Sequence, residues 1–324
     1  MPPTGRRRQA LMLTGTLVLA TGATAGISAW VLAADPGAGV SEGLRTGGLA
    51  GASLVALYAL WLNDRRRRVE EDRQAVEEER LRLEGGRITN ERFAKAVEML
   101  GQDADQVRVG AMHALAGLAR STPSYTQTVI DVLCAYLRRP FFHYAYERSG
   151  ADPDRNDFAE PARGRLSAEE TADDRERQVR LTAQRVLLEL LPAAGTDGPR
   201  YDLDLTGATL EYLDLRRRRV GGLLVRRATF YGITRLAGTE FCGRAMFTGD
   251  VFRGRLELAG ARFDAGVSLR DVQFDGPVDL TGAVVADFAD LRWREPADVE
   301  VSGLVAAPGV TLKGLPVAKP VLAD

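Results

Sequence analysis

Large apolar residues recur in the C-terminal third of the chain at alternating intervals of five and six residues. From residue 230 onward this series comprises Phe230, Leu236, Phe241, Phe247, Phe252, Leu258, Phe263, Leu269, Phe274, Leu280, Val285 and Leu291. Upstream the interval is five throughout, at Leu205, Leu210, Leu215, Val220 and Val225. Glycine, proline and aspartate return too often here for a long helix, and the turns come too often for a hairpin meander. The chain must therefore change direction every five or six residues.

A solenoid satisfies this rhythm. Two inward residues with one outward residue between them make a short extended piece, and a following glycine lets the backbone turn. Successive coils then stack at ~4.8 Å and bury a column of Phe and Leu. Arg218 breaks the pattern, because five-residue counting places it at an inward position, where an unpaired guanidinium is costly to bury. We therefore expect a bulge or register slip that turns residues 216–219 outward as a basic ridge.

Two segments of this region resemble the pentapeptide-repeat family, whose units read roughly A-(D/N)-L-x-x. They are LDLTGATLEYLDL over residues 203–215 and VDLTGAVV over residues 278–285. The resemblance implies a right-handed quadrilateral β-helix over residues 200–293, with roughly four coils. Residues 294–324 keep apolar side chains but lose the repeat. We expect them to form a C-terminal cap on the last coil or a dimer contact.

Two long uncharged runs near the N-terminus predict a transmembrane hairpin over residues 1–63. Ala10 to Ala34 spans twenty-five residues and Thr46 to Asn63 spans eighteen, against about 20 for a helix that crosses a bilayer. Arginines precede the first run and follow the second, which predicts a two-pass plasma membrane protein with both termini in the cytoplasm. The alternative is a cleaved signal peptide, in which case the second run alone anchors the chain.

Residues 64–86 predict a charged juxtamembrane helix, with seven arginines against eight acidic residues, that ends at Gly85 and Gly86. Val69, Val76 and Leu83 lie seven residues apart, which permits a weak homodimer through a thin coiled-coil stripe. Four consecutive arginines in this helix are candidate contacts for anionic lipid headgroups. The candidate anion or lipid contacts of the whole chain are Arg65, Arg66, Arg67, Arg68, Arg216, Arg217, Arg218 and Arg219.

Residues 87–199 predict a small helical domain similar in style to a HEAT repeat. The segments ERFAKAVEMLG and VRVGAMHALAGLAR, and two later ones, carry apolar residues at helical spacing. Capping boxes are expected at Asp103 and at Ser167. Residues 143–166 lack periodicity and predict a long mobile loop. The order of hairpin, helical domain and repeat is similar to that of membrane-anchored, actinobacterial-type members of the same family.

The titratable residues form no catalytic pattern in the sequence. Only two histidines occur, His113 within a predicted helix, where packing is expected, and His143 beside aromatic residues at the entrance of the loop. Cys134 and Cys242 each lie inside an apolar pattern and predict buried, reduced thiols. The metalloprotease, nucleophile-elbow and P-loop motifs are missing. We therefore expect no enzyme, no catalytic residue, no metal site and no cofactor.

Protein interaction is the function that remains. A rigid column and a helical domain held at the inner membrane face suit a non-catalytic scaffold for an unidentified protein partner. One alternative is anionic-lipid or nucleic-acid binding through the arginine ridge, although nucleic acid is not favoured because no aromatic residues interleave with the arginines. Another is a DNA mimic that inhibits a type II topoisomerase, as the family resemblance suggests. That mimicry needs a strongly negative column, whereas residues 200–324 carry seventeen basic and seventeen acidic residues.

Overall fold

The computed structural model describes residues 4–34, 40–149, 151–152, 167–294, 297–308, 310–313 and 321–322. The chain forms two compact units, residues 1–87 and residues 88–324. Its helices are α1 (Thr4–Ala34), α2 (Val40–Leu100), α3 (Asp105–Ser121), α4 (Thr126–Leu137), α5 (Tyr144–Ser149) and α6 (Ala168–Leu190), with a one-turn 3-10 helix at Pro123–Tyr125.

Helix α1 and the first part of α2 contact each other through small residues. Ala20 is buried, Thr24 Oγ1 donates a hydrogen bond to Ala20 O at 2.7 Å, and a Cβ on Gly51 would overlap the Thr24 hydroxyl. The predicted segment 10–34 lies within α1, although several of its side chains fall outside this description. Within the residues that the structure describes, none of the helices combines the length and the apolar character that a membrane span needs. The structure thus does not support the predicted transmembrane hairpin.

Helix α2 continues through Gly85 and Gly86, so the helix end predicted there is wrong. A glycine inside a helix costs only about 1 kcal/mol relative to alanine. Charge pairs one turn apart, such as Arg67 with Glu71 at 2.8 Å, return a few tenths of a kcal/mol each. The end of the helix is held in place because Leu100 is buried in the core of the second unit.

The helical segment of the second unit, residues 88–191, packs α3, α4 and α6 around one apolar core. Most of the apolar residues at helical spacing are buried, namely Met112, Leu115, Ala116, Ala119, Ile130, Leu133, Cys134, Leu137, Val179, Ala183, Val186, Leu187, Leu190 and Leu191. Val97, which has this spacing in ERFAKAVEMLG, is instead 38% exposed. The capping box at Ser167 is confirmed, because Ser167 Oγ accepts from the Glu170 N–H and Ser167 N donates to the Glu170 carboxylate. The box predicted at Asp103 is wrong, since Ala104 caps α3 without a side-chain hydrogen bond.

Between residues 203 and 322, the described residues form a parallel β-solenoid of about five turns with four sheets. The first sheet contains β1 (Leu203–Asp204), β4 (Leu223–Arg226), β8 (Ala245–Thr248), β12 (Val267–Arg270), β16 (Phe288–Asp290) and β19 (Thr311–Lys313). The second contains β2 (Thr209–Glu211), β5 (Thr229–Tyr231), β9 (Val251–Phe252) and β13 (Gln273–Phe274). The third contains β6 (Thr234–Arg235), β10 (Leu256–Glu257), β14 (Val278–Asp279) and β17 (Val299–Glu300). The fourth contains β3 (Arg219–Val220), β7 (Glu240–Phe241), β11 (Arg262–Phe263), β15 (Val284–Val285), β18 (Val305–Ala306) and β20 (Val321–Leu322).

The strand register explains the alternation of five and six. Leu223 pairs with Ala245, Ala245 with Val267 and Val267 with Ala289, so each of these coils takes twenty-two residues. Two sides of such a coil take five residues and two take six. The first coil takes twenty, from Leu203 to Leu223, which matches the constant interval of five upstream.

The column interior is filled as the sequence predicts, since all seventeen apolar residues of the series are buried. Phe230 stacks on Phe252 with ring centroids 4.3 Å apart, and Phe241 stacks on Phe263 at 5.1 Å, both with rings 4° from parallel. The strands continue beyond the expected end at residue 293, because β17 to β20 extend three of the sheets. Smaller residues replace phenylalanine in that last coil, which is why its repeat is faint in the sequence.

Part of the predicted loop over residues 143–166 is ordered structure. Its first residues form α5, whereas residues 150 and 153–166 lie outside the described residues. Ala151 O accepts a hydrogen bond from the Gly232 N–H at 2.7 Å, and the Tyr212 hydroxyl donates to the Asp152 carboxylate. The described part of this segment therefore packs against the solenoid beside its second sheet.

Candidate functional site

A buried polar cluster, here called the joint, connects α5 and α6 to the first coils of the solenoid. At its centre is Glu211, which is 4% exposed. Its Oε1 accepts a hydrogen bond from the Tyr146 hydroxyl at 2.5 Å, and its Oε2 accepts one from Arg177 Nε at 2.7 Å. The Tyr146 ring stacks on Tyr231 with centroids 3.9 Å apart. Burial, and then the Glu211 carboxylate, raise the pKa of Tyr146 far above its usual range, so this hydroxyl acts as a permanent donor.

Arg180 extends the joint toward α4. Its Nη2 donates to the carbonyls of Leu137 at 2.5 Å and Thr209 at 3.2 Å, and its Nη1 donates to Arg139 O at 3.3 Å. The guanidinium also lies 4.9 Å from the ring centroid of Phe141. Burial lowers the pKa of Arg180. These bonds connect the C-terminal end of α4 to the edge of β2, because carbonyls at a helix end lack partners within the helix.

A second ionic group lies between α3, α4 and α6. Arg108 Nη1 donates to Glu176 and to the Tyr136 hydroxyl, and that hydroxyl donates to the Glu176 carboxylate at 3.0 Å. Burial, and then the negative charge of Glu176, raise the pKa of Tyr136 to about 12. The arrangement binds three helices together and leaves none of these three groups exposed as a reactive acid or base.

The two histidines lie in different environments. His143 is 1% exposed, its Nδ1 accepts from the Ala145 N–H at 3.2 Å, and its Nε2 lies 2.8 Å from Asp174 Oδ1. Because Nδ1 is the acceptor, Nε2 carries the proton and donates to Asp174. His113 is exposed on α3, so the expectation that it packs inside the helix bundle is wrong. It lies on the polar face of the helix, between buried neighbours Met112 and Leu115.

The cysteines are both free. Cys134 is buried, as expected, and burial raises the pKa of its thiol to about 12. Cys242 is half-buried instead, and its Sγ accepts a hydrogen bond from Arg219 Nε at 3.3 Å. It occupies an outward position immediately after the inward Phe241, which accounts for its greater exposure.

The four arginines of residues 216–219 differ from one another in exposure and partners. Arg216 is exposed and forms an ion pair with Asp214, Nη2 to Oδ2 at 2.6 Å. Arg217 is exposed. Arg218 Nη1 donates to Leu191 O at 3.2 Å, and Arg219 Nη1 donates to Thr196 O. The expected ridge is therefore reduced to two exposed side chains, because the other two are half-buried against the segment that leads from α6 into the solenoid.

The expected bulge or register slip at these arginines is wrong. Val220 follows Leu215 at the ordinary interval of five and both are buried. β3 pairs with β7 in register, with Arg219 opposite Glu240. Arg218 is tolerated because it belongs to the first coil, where no earlier coil lies above it. Its backbone instead forms an isolated antiparallel bridge with Ala193.

A groove runs between α6 and the solenoid corner that carries these arginines. Its volume is about 760 Å³, and its walls are formed by Leu188, Asp214, Arg216, Arg217, Arg218, Ala237, Gly238, Glu257 and Ala259. A smaller cavity of about 280 Å³ adjoins it and shares Leu188 and Asp214. Hydrogen bonds from Arg216 keep the pKa of Asp214 low, although burial alone would raise it. The groove thus has cationic and apolar walls, with one carboxylate, Asp214, paired with Arg216 and a second carboxylate at Glu257.

The arginines predicted at residues 65–68 all lie exposed on α2. Arg67 pairs with Glu71 and Arg68 with Asp64, each at 2.8 Å, and Arg65 lies over the Trp61 ring at 5.3 Å. Exposed pairs of this kind contribute little to stability. These side chains can therefore exchange their partners for an anionic surface at small cost.

Sequence reasoning did not find the joint. Glu211, Arg177 and Arg180 come from segments far apart in the chain, and nothing in their local pattern distinguishes them from solvated charges. The aromatic run at residues 141–146 was the one available signal, because aromatic residues at the entrance of a polar loop indicate that part of the loop is packed.

The fold agrees with the resemblance drawn from residues 203–215 and 278–285, because a parallel solenoid with four sheets is what that resemblance implies. The right-handed sense and the membrane-anchored type remain predictions. No family model, no curated protein and no solved structure matches this chain.

Proposed function

We propose that the chain is a non-catalytic scaffold that holds a protein partner on the solenoid and its helical segment, at the inner face of the plasma membrane. The observation that carries this proposal is the single apolar core that runs from Ala96 in α2 to Leu304 in the last coils. With the joint, that core joins helices α3 to α6 and the described coils of the solenoid into one unit. Helices α5 and α6 cover Glu211 and Tyr231 on the second sheet. The outward faces that remain form a rigid repeat surface, which suits protein binding.

The membrane part of the proposal draws its support from the side chains of α1 and α2. Val18, Leu19, Trp30, Leu57 and Leu60 are 63 to 71% exposed, whereas the contact between the two helices uses Ala20, Thr24 and Gly51. Large apolar residues outside and small residues at the helix contact are typical of helices that pack in lipid. In water such a surface would be a liability.

Site-specific photo-crosslinking in living cells tests the scaffold. A photoreactive residue would replace one outward residue on each sheet, namely Met246, Gln273, Asp279 and Arg262. We expect discrete adducts of defined mass at one or two of these faces and none at the others, since a specific partner covers only part of the column. Four faces without a discrete adduct, or four with the same smear, would count against a scaffold.

Extraction of cell membranes with alkaline carbonate tests the attachment. Replacing Leu57 and Leu60 by lysine places two charges among the exposed apolar residues and is expected to move the protein into the soluble fraction. The matched control replaces Leu81 and Leu83, which lie on the charged part of the same helix and are 62 and 65% exposed, and should leave the protein in the pellet. Equal behaviour of the two variants would contradict membrane attachment through this segment.

A further inference from the structure

The first and third sheets lie on opposite sides of the column and carry opposite net charge. Each coil passes through the four sheets in order, as β8, β9, β10 and β11 do. The outward side of the first sheet with its flanking turns is here called the first face, and that of the third sheet the third face. From β4 to β16 the first face carries five arginines and three aspartates, namely Arg226, Arg227, Arg244, Arg270, Asp271, Asp287, Asp290 and Arg292. From β6 to β17 the third face carries four carboxylates and two arginines, namely Arg235, Arg255, Glu257, Asp279, Asp298 and Glu300. Two pairs at the borders, Arg253 with Asp275 and Arg262 with Asp264, add no net charge.

Three carboxylates of the third face form a column. Glu257 lies opposite Asp279, and Asp279 lies opposite Glu300, each in register on neighbouring strands. Like charges in such positions repel and destabilise a sheet. None of the three forms an ion pair within the described part of the chain. The column therefore gains stability from a cationic surface placed against it.

The first face presents a column of arginines. Arg226 and Arg270 both pair in register with Thr248, which lies between them. Arg292 follows Arg270 by twenty-two residues, the length of one coil. All three arginines are exposed, so the first face carries the charge that the third face lacks.

The two columns lie toward the same neighbouring sheet. In the first sheet the chain runs toward the second sheet, and Arg270 follows the inward Leu269. In the third sheet the chain runs away from the second sheet, and Asp279 precedes the inward Leu280. Both columns are thus displaced toward the second sheet. A copy of the solenoid shifted sideways without rotation sets its carboxylates against the arginines of the next copy.

The heights of the two columns also match. Asp279 belongs to the coil that begins with β12, as Arg270 does, and Glu257 belongs to the coil between those of Arg226 and Arg270. A sideways shift sets Asp279 level with Arg270. It also sets Glu257 between two arginines, each about 4.8 Å away along the column axis. No movement along the axis is needed to pair the charges.

The edges of the two faces that border the fourth sheet are uncharged at the same heights. On the first face Met246 is half-buried and Ser268 is 4% exposed. On the third face the residues at the corresponding edge are Ala259 and Thr281. The shifted copies therefore bring small and apolar side chains together beside the charged columns.

We infer that the solenoid associates laterally with a second copy of this chain, the third face of one column against the first face of the next. Two different surfaces meet in such a contact, and each end copy keeps one unused face, so the association continues as a row. The inference goes beyond the scaffold proposed above and does not depend on it, because the contact joins copies of one chain.

The carboxylates of the first face leave its arginines accessible. Asp271 lies 3.4 Å from Arg270, and Asp290 lies 2.5 Å from Arg292. The side chains of Arg270 and Arg292 are nevertheless 59 and 52% exposed. A guanidinium has five N–H donors, so each arginine can bind a second carboxylate.

The contact is limited in size. Arg226 is level with Arg235 of the shifted copy, and these like charges repel, so the contact covers the three coils that begin with β8, β12 and β16. Three coils span about 14 Å of the axis, which is far less surface than the roughly 800 Å² per partner of a standard interface. The association is therefore weak, and a covalent trap is the suitable measurement.

Crosslinking between two introduced thiols tests the inference with the purified full-length protein. Cys242 is replaced by serine throughout, whereas Cys134 is kept because burial raises the pKa of its thiol to about 12. A chain with both Met246→Cys and Thr281→Cys should give, with a short bismaleimide, a ladder of dimers, trimers and longer rows. A mixture of the two single variants should give dimers alone, because each chain then offers one thiol.

The matched control is the chain with Gln273→Cys and Val284→Cys. These residues are half-buried at outward positions of the second and fourth sheets, which also lie on opposite sides of the column. This pair should give no ladder. Unfolding midpoints of all variants verify that the fold is kept.

Charge reversal tests the pairing of the two columns. Arg270→Glu and Asp279→Arg should each lower the yield of the ladder about fivefold, since an attraction between exposed charges becomes a repulsion. The chain that carries both substitutions should recover the yield, because the two charges have exchanged sides. Added salt should lower the yield of the wild-type faces.

The inference is overturned by the absence of a ladder, by an equal ladder from the control pair, by dimers from either single variant alone, or by a double charge reversal without recovery. Photo-crosslinks in cells from Met246 and Asp279 to a different protein, without crosslinks to a second copy, would overturn it and leave the scaffold standing. A ladder without any adduct to another protein would support the row and count against the scaffold.

Discussion

The helical segment and the solenoid share one core but satisfy their polar groups in different ways. Each helix makes its backbone hydrogen bonds within itself, so its side chains are free to form the ionic joint around Glu211 and Arg180. Each coil of the solenoid makes its backbone bonds to the coils above and below, as Leu223 N does to Arg244 O at 2.9 Å. A fault in a helix therefore stays local, whereas a fault in a coil reaches its neighbours.

The largest expected effect is the loss of a ring from the column. Phe252 lies between Phe230 and Phe274, with ring centroids 4.3 and 5.6 Å away. Phe252→Ala should lower the free energy of unfolding by roughly 3 to 5 kcal/mol. Native-state hydrogen exchange should show faster exchange in three successive coils together. Leu133→Ala in α4 is the helical counterpart, and its effect should remain in the helices; exchange confined to one coil for Phe252→Ala would contradict the comparison.

A buried carboxyl in the column predicts a pH dependence of the stability of the solenoid. Asp250 is 0% exposed, its oxygens accept from the N–H groups of Ala228 and Thr248, and burial raises its pKa from 3.8 to about 7. Between pH 4 and pH 7 the folded chain keeps a proton that the unfolded chain has lost, so stability falls as the pH rises through this window.

The variant Asp250→Asn should remove this slope. We expect the difference in free energy of unfolding between wild type and variant to change by about 2 to 4 kcal/mol from pH 4 to pH 7 and to level off above about pH 8, where Asp250 is ionised in both states. Carboxyls with a lowered pKa, such as Asp279 and Asp290, change the stability only at a pH below this window. Chemical denaturation at a series of pH values measures the difference, and parallel curves for the two proteins would show that Asp250 is ionised throughout.

A substitution in the joint is expected to weaken the contact between the helical segment and the solenoid. Glu211→Gln keeps the shape of the side chain but removes the negative charge opposite Arg177, at a site where the side chains are 4 and 13% exposed. Loss of a buried charged hydrogen bond costs roughly 2 to 3 kcal/mol. We expect exchange to accelerate in α5, α6 and β2 and to be unchanged in the last coils. Glu240→Gln, on the outward side of β7, is the control. Equal changes in hydrogen exchange for the two variants would show that Glu211 stabilises the fold no more than an outward glutamate does.

Replacing a glycine by alanine is expected to have the smallest effect, but with opposite signs in the solenoid and in the helices. A Cβ on Gly254 would overlap the carbonyl oxygen of Gly232 in the coil above, whereas a Cβ on Gly117 in α3 meets nothing within 4 Å. Gly254→Ala should destabilise the fold by about 1 to 3 kcal/mol, and Gly117→Ala should stabilise it by about 0.5 to 1 kcal/mol. Unfolding midpoints of the two variants measure this directly. A shift of the same sign in both would refute the claim that the coils approach closely at this corner.

Prediction from sequence succeeded where the burial of a residue depends on its near neighbours in the chain. The series from Leu205 to Leu291 and the apolar stripe of α6 were found because their spacing repeats within a few residues. Prediction failed at Gly85, because the small free-energy cost of a glycine inside a helix does not end the long helix α2. It also failed at Arg218, which needs no register slip because it lies in the first coil, where Ala193 pairs with its backbone. The capping box expected at Asp103 is absent because α3 has Ala104 as its N-cap, so Asp103 lies one residue before the capping position.

The candidate site was predicted only in part. Arg216 and Arg217 were expected at the surface and lie there, but the wall that faces them belongs to α6, about 30 residues away in the chain. The groove exists because α6 and a corner of the solenoid meet there.

The sequence by itself determined the solenoid, its period and its interior, because the alternation of inward and outward residues and the places where the chain turns are local properties of the backbone. The tertiary structure alone decided which charges are buried, which arginines are exposed and where a groove opens beside α6. Those outcomes depend on contacts between segments far apart in the chain, and the energy of a charge is set by its surroundings rather than by its neighbours in sequence.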